Sequence, residues 1–317
     1  MGPRSGTLLA ALLAAPLATG AQSLAPRVVA TAGASVVAGP VQVAWTVGEP
    51  AVTIGQAGTM ILTQGFHQPG LVRLRLGMRA FLQGPYNTGT GRMNDGLRVN
   101  GWVPLIEPYT GLGYAPIGGG GEAIVPAVLA TPGPDAIIDW VFLELRDKAD
   151  HTTVLHSRSA LLQADGDIVD TDGSSPVSFP MPADEYFIAV HHRNHLAVLT
   201  LSAIALSASP VAVDLTNGST ATYGMDAQRV LAGVRMLWSG DVTGDGVIKY
   251  AGAGNDRDPI LVAIGGAVPT ATTTGYLSTD VNLDGIIKYA GAENDRDPIL
   301  QNIGGVLPTG IRNAQLP

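Results

Sequence analysis

The chain contains no cysteine. A disulfide scaffold, a Cys-ligated zinc site and a cysteine nucleophile are therefore excluded. Lysine is almost as scarce, with only Lys148, Lys249 and Lys288. A nucleic-acid-binding surface needs clustered Lys and Arg to displace counterions. The net charge of −8 points the other way, so no nucleic acid is expected as a partner. Charged residues make up 14% of the chain and aromatics 5%, against about 25% charged in an average domain. No apolar run reaches the roughly 20 residues that span a bilayer, so no transmembrane segment is expected. G-x-S-x-G, H-E-x-x-H and P-loop patterns are all missing, and no pair among the acidic residues stands out as acid and base. What the chain has in quantity is backbone punctuation: 41 Gly and 22 Pro, with 46% hydrophobic residues. That composition suits short strands joined by turns, in two or three small domains over 317 residues.

The first 21 residues, MGPRSGTLLAALLAAPLATGA, place Arg4 before a short Leu/Ala core and end in Thr19, Gly20 and Ala21. This is the pattern of a secretory signal peptide cut before Gln22. An exported chain without disulfides needs another staple, and metal ions are the obvious candidate.

The remainder divides into a small β-module at 22–70, a β-sandwich domain at 71–238 and a tandem module at 239–317. Val41, Val43, Trp45 and Val47 alternate with Gln42, Ala44 and Thr46, which is strand periodicity. Residues 60–66, 73–82, 137–147, 152–163, 185–195 and 198–207 read as further strands. Asp165-Gly166 marks a hairpin turn, and Pro126, Pro132, Pro134, Pro176, Pro180 and Pro182 fall between the runs. Strands bounded by turn signals, without long helical stretches, predict a mainly β chain: an antiparallel sandwich flanked by the two smaller modules.

The chemistry is concentrated in a duplication. Residues 241–270, DVTGDGVIKYAGAGNDRDPILVAIGGAVPT, recur at 280–309 as DVNLDGIIKYAGAENDRDPILQNIGGVLPT. Eight Asp lie between 241 and 297, and such clustering repels itself unless a cation offsets it. Asp241, Thr243 and Asp245 followed by Gly246 match the opening of a Ca²⁺ loop. Positions 1, 3 and 5 supply side-chain oxygens, position 6 makes the sharp turn, and position 7 offers the Val247 carbonyl. Asp280, Asn282, Asp284, Gly285 and Ile286 repeat the pattern. All donors are hard oxygens, which favours two Ca²⁺ ions over zinc or copper. Position 12 would be Gly252 or Gly291, which cannot chelate through a side chain. If Lys249–Gly254 is a six-residue insertion, Asn255 becomes position 9 and Asp258 position 12, with Asp256 between them. Asn294, Asp295 and Asp297 follow suit. In that register Asp258 is the N-cap and Pro259 the first residue of a two-turn helix that stops at Gly265-Gly266; Asp297, Pro298 and Gly304-Gly305 do the same.

Two Ca²⁺ loops, each closed by a short helix, resemble the type I dockerin module over 241–309, apart from the KYAGAG and KYAGAE insertions. The resemblance implies docking to a cohesin-like partner through the helix, where Gln301 and Asn302 would be exposed, and a link to polysaccharide degradation. The longer chain resembles exported surface proteins of Bacteroidota often labelled haemagglutinin- or haemolysin-like. WTVGEP (45–50), ILTQGFHQP (61–69), MNDGLR (93–98) and the NDRDPIL endings carry that likeness. It implies surface adhesion more than any reaction; with the two ion loops and no catalytic motif, the chain is expected to be a non-enzymatic, calcium-binding, adhesin-like protein, secreted or at the cell surface, with a glycan or protein of a cell surface as partner.

Three weaker groups invite bland readings. HHRNH (191–195) reads as one solvated strand face, where His191 and His195 would stand about 13 Å apart and could not share a metal. ADGDIVDTDG (164–173) reads as a polar hairpin rather than a third ion loop. Trp102, Tyr109 and Tyr114 read as core anchors rather than a sugar platform.

Overall fold

Strands form wherever β-branched and aromatic residues alternate between turn residues. The computed structural model describes residues 32–38, 41–47, 54–57, 60–63 and 73–317; the expected signal peptide lies outside them. Met1–Gly70 and Leu71–Pro317 are separate units. In the first, β1 (Ala32–Ala38) pairs antiparallel with β2 (Val41–Val47), and β3 (Ile54–Ala57) with β4 (Met60–Thr63).

The second unit begins with β5 (Leu74–Arg79), the hairpin of β6 (Tyr86–Asn87) and β7 (Arg92–Met93), α1 (Gly96–Val99), and a 3₁₀ turn at Pro126–Ala130. There follow β8 (Ile137–Asp147), β9 (Val154–Gln163), β10 (Asp167–Val169), β11 (Val177–Phe179), β12 (Asp184–His192), β13 (His195–Leu199), β14 (Ile204–Leu206) and β15 (Val211–Asp214). These build one large sheet in the order β11-β5-β10-β9-β8-β12-β13, with β14 also on β12 and β15 also on β5. Every pairing is antiparallel except β15 with β5. Residues 137–143 of β8 are buried without interruption, so both faces of the sheet centre are covered. Trp140 donates through Nε1 to the Pro104 carbonyl at 2.9 Å, and the Tyr109 hydroxyl donates to the Trp140 carbonyl at 2.9 Å. The 104–109 segment is thereby tied over one face. Tyr109 is a core anchor as expected, whereas Trp102 is exposed.

The acidic turn at 165–172 is a polar hairpin. Asp167 pairs with Arg79, Asp170 takes a two-pronged contact from Arg158, and Asp172 caps the amides of Ser174 and Ser175. Arginines thus match the Asp167 and Asp170 carboxylates within the protein.

The hairpin of β16 (Gln228–Leu231) and β17 (Val234–Leu237) leads into the duplication. Each copy supplies a three-residue strand, β18 (Val247–Lys249) or β20 (Ile286–Lys288), and a seven-residue helix, α2 (Arg257–Ala263) or α3 (Arg296–Asn302). After each helix comes another short strand, β19 (Thr272–Thr274) or β21 (Ile311–Asn313). The copies complete each other. β19, after the first helix, pairs with β20 of the second loop, and β21, after the second helix, returns to pair with β18 of the first. Likewise α2 packs on β20 and α3 on β18. Val242, Ile248, Ile260, Val281, Ile287 and Ile299 bury a shared core, joined by Leu196 from β13. Helices this short are marginal alone, so the exchange explains why the unit is duplicated.

The helices begin two residues earlier than the spacing predicts. Asp256 and Asp295 hold the N-cap positions, and Pro259 and Pro298 are the third helical residues. Proline is tolerated there because a first-turn N–H has no intrahelical acceptor. At the other end Gly266 donates to the Leu261 carbonyl and Gly265 to that of Val262, the expected glycine stop. Among the described residues no helix is long and apolar enough to cross a membrane.

Candidate metal centre

The first loop wraps around the Asp241 carboxylate. Oδ1 accepts from the Asp245 amide at 3.1 Å and Oδ2 from the Gly246 amide at 3.0 Å. Gly246, at φ +80°, makes the tight turn that aims its amide inward. Asp245 in turn accepts from the Val247 amide at 2.9 Å. The other wall is Asp256, which accepts from the Thr243 amide at 2.9 Å, the Thr243 hydroxyl at 3.1 Å and the Lys249 amide at 2.8 Å.

The second loop repeats this to within a few tenths of an ångström. Asp280 accepts from Asp284 at 3.2 Å and Gly285 at 2.8 Å, and Asp284 from Ile286 at 2.7 Å. Asp295 accepts from Val281 at 2.7 Å, Asn282 at 3.3 Å and Lys288 at 2.7 Å. The Asn282 carboxamide accepts from the Asp284 amide at 3.0 Å.

Asp241, Asp256, Asp280 and Asp295 are all buried. Burial, and then the Asp256 charge, push the Asp241 carboxyl up to about 7. Burial pushes Asp295 up to about 7, with the Asp280 charge adding to it against its backbone donors. Asp280 rises to about 6 through burial, with Arg193 opposing, and burial raises Asp256 as well. Each loop thus holds two buried carboxylates whose charges disfavour each other. A positive charge between them would relieve both penalties at once. The donor set is oxygen only, so it fits a hard cation. Among the described residues no three His, Asp or Glu side chains stand together as a ready-made cage; the preformed part of each site is a pair.

Two proposed ligands per loop are not brought to the pair. Asp258 turns outward to Arg257 at 2.8 Å, and its side chain is 54% exposed. Asn255 bonds Asp258 through Nδ2 and accepts from the Asp258 amide through Oδ1, both at 2.8 Å. Asn294, Asp297 and Arg296 repeat the arrangement. These residues brace the helix start. The earlier helix start is the cause: it sets Asp256 and Asp295 against the loop and carries the next Asp round to the outside. Asn302 also departs from expectation. It is buried and donates to the Ser239 carbonyl at 2.6 Å and Gln83 Oε1 at 2.9 Å.

The HHRNH segment departs furthest from the strand face its spacing suggests. It is no continuous strand face: β12 ends at His192, Arg193-Asn194 form a two-residue turn, and β13 starts at His195. The tip is buried, with the His192 and His195 Nδ1 atoms 3.0 Å apart. His195 Nε2 accepts from the Gly84 amide at 3.1 Å, which places its proton on Nδ1. That proton faces Asn194 Oδ1 and His192 Nδ1, leaving His192 Nε2–H to donate to Asp139 at 3.0 Å. Both imidazoles are therefore neutral links in a satisfied chain, and burial lowers the proton affinity of each. Arg193 pairs with Asp139 at 3.0 Å, lies 4.2 Å over the Tyr276 ring and donates to the Leu277 carbonyl. The Tyr276 hydroxyl donates to Asp139 at 2.6 Å. Although burial pushes Asp139 up, Arg193, His192 and Tyr276 together hold it below the usual carboxylate range.

Asn194 completes the hub. Its carbonyl accepts from the amides of Gly240 at 2.9 Å and Asp241 at 3.1 Å, while Nδ2 donates to the carbonyls of Ser278 at 3.0 Å and Asp280 at 2.6 Å. One residue of the sheet domain thus touches the first residue of both acidic loops. The sequence signal for this hub was two polar residues between two strand-like runs, a turn without the glycine that usually announces one.

No protein-family model matches the chain, and no curated protein or solved structure matches it either.

Proposed function

We propose that this is an exported, non-enzymatic calcium-binding protein whose tandem module holds two Ca²⁺ ions and presents the sheet domain to a cell-surface glycan or protein. One observation carries the reading: each loop buries two carboxylates whose charges disfavour each other, Asp241 with Asp256 and Asp280 with Asp295, with no cationic side chain bonded to either pair among the described residues. Asp245, Asp284, Thr243 and Asn282 stand on the same loops and would complete the oxygen shell. Calcium would serve as a staple, since a ligand that binds only the folded state stabilises it by mass action. Calorimetric titration of the metal-free chain tests this. We expect two ions per chain and a melting temperature that rises with calcium and falls with chelator. No heat and an unchanged melt would refute it.

A second reading, a dockerin-type module docking to a cohesin-like partner, draws support from exposed apolar residues beyond each helix. Val268 is 56% exposed, its counterpart Leu307 is 67% exposed, and the neighbouring Val306 is 82% exposed. Such residues are commonly covered by a partner. Replacing Val268 and Leu307 by Ser should abolish calcium-dependent capture of a cohesin-like domain, and capture that survives argues against this face.

A further inference from the structure

We propose that Asn194 is a positioning residue that couples the two acidic loops, so that ordering one favours ordering of the other. For the role of calcium this inference rests on the reading above; its structural part does not.

The two loops have no direct bond between their first aspartates. Both are instead tied to the tip of the β12–β13 hairpin. The Asn194 carbonyl receives the Asp241 amide, and the Asn194 carboxamide reaches the Asp280 carbonyl, at 3.1 Å and 2.6 Å. Asn194 has little freedom to serve one loop without the other. It is fully buried. Its Oδ1 is fixed by His195, and its neighbour Arg193 is locked by Asp139, Tyr276 and Leu277. A shift of the Asp241 backbone must therefore move the Asn194 peptide, or break its bonds to Gly240 and Asp241. Either outcome re-aims the carboxamide that holds Asp280. The contacts also fall where they matter, on the backbone of the residue whose carboxylate organises positions 5 and 6 of each loop. The hub is buried and densely hydrogen-bonded, as a transmitting element must be, because a loosely bonded buried network would absorb displacement instead of passing it on.

The exchange of strands and helices between the copies is a second physical route, and the experiment separates the two. In the metal-free full chain, Asp241→Ala disrupts the first loop. Amide hydrogen exchange then reads the second loop at Asp284 and Gly285, whose N–H groups report the Asp280 carboxylate. We expect their protection to fall about tenfold. Asp241→Ala made together with Asn194→Ala should leave these amides no less protected than Asn194→Ala alone. Equal loss in both backgrounds would assign the coupling to the exchanged helices and overturn the role of Asn194. No loss in either background would also overturn it. Asn194→Asp keeps the acceptor toward His195 but cannot donate to Asp280, and serves if the alanine variant does not fold.

Calcium titration supplies the second arm. The native chain should bind its two ions cooperatively, with a coupling of about 5-fold or more in affinity, as typical coupling energies imply. Asn194→Ala should bind two ions independently. Two independent ions already in the native chain would overturn the coupling and leave the calcium reading standing. No heat at all would overturn that reading, while the exchange experiment still decides the structural part.

Discussion

At the scale of single residues, two neighbouring aspartates with the same chemistry have opposite surroundings. Asp256 is buried and accepts three hydrogen bonds that close its loop, whereas Asp258 is solvated and paired with Arg257. Asp256→Ala leaves buried donors without acceptors, a loss of about 1–3 kcal/mol, and removes half of the carboxylate pair. We expect calcium affinity at that loop to fall at least tenfold by calorimetry. Asp258→Ala removes an exposed ion pair worth less than about 1 kcal/mol, and calcium affinity should not change. Equal effects of the two would sink the assignment of Asp256. Acid should act on a different carboxylate. Burial raises Glu144, but His191 and Arg146 overcome this and bring it down to about 2. Because its folded value lies below its unfolded one, its contribution is present above the unfolded pKa and is lost as pH falls toward 2. Glu144→Gln should therefore flatten the acid limb of a stability-against-pH curve measured by denaturant melts between pH 5 and pH 2, and leave neutral pH behaviour with a constant offset.

At the scale of elements, the loops depend on close approach and on exchange. A Cβ built on Gly84 would lie 2.0 Å from the Val281 carbonyl oxygen, so the second loop seats on bare backbone. Backbone cannot yield as a flexible side chain can, and Gly84→Ala should cost about 1–3 kcal/mol or more, as overpacking does. A chemical-denaturation midpoint measures it, and an unchanged midpoint would mean that the loop does not seat there. Removing residues 311–317 takes away β21, the partner of β18, together with the Ala314 amide that donates to Gly246. Calcium binding at the first loop should weaken while the second, paired with β19, keeps its affinity. These elements also show what was legible in the sequence. The duplication, the loop openings Asp241-to-Gly246 and Asp280-to-Gly285, the glycine stops and the strand runs of β2 and β8 are local patterns, and local patterns can be read along the chain. The start of α2 lies two residues before the position the spacing suggests, because Asp256 and Asp258 are both acceptable caps and only the packing of Asp256 against Thr243 and Lys249 chooses between them. The exchange of β19 and β21 between copies leaves no mark on any short window.

At the scale of the molecule, the residues least visible in the sequence bind its parts together. Gln83 and Asn302 exchange hydrogen bonds at 2.9 Å across 219 residues, and Gln83 also accepts from the Ser239 amide. His195 accepts from Gly84, and Arg193 and Asn194 reach Leu277, Ser278 and Asp280. These polar contacts are buried or half-buried, and breaking one strips its partner of a hydrogen bond. A chain read as three successive modules would be expected to melt in steps. Leu71–Pro317 instead forms one unit in which the tandem module shares its polar joints with the sheet, so the two parts should lose structure together. Calorimetry of the metal-free chain should give one cooperative transition for this unit, with the calorimetric enthalpy matching the van't Hoff value. Calcium should then raise that single transition as a whole, because ions bound at residues 241–295 would stabilise the sheet through the hub. A tandem module that melts separately, with a sheet transition insensitive to calcium, would show that the joints at Gln83 and Asn194 carry no mechanical weight.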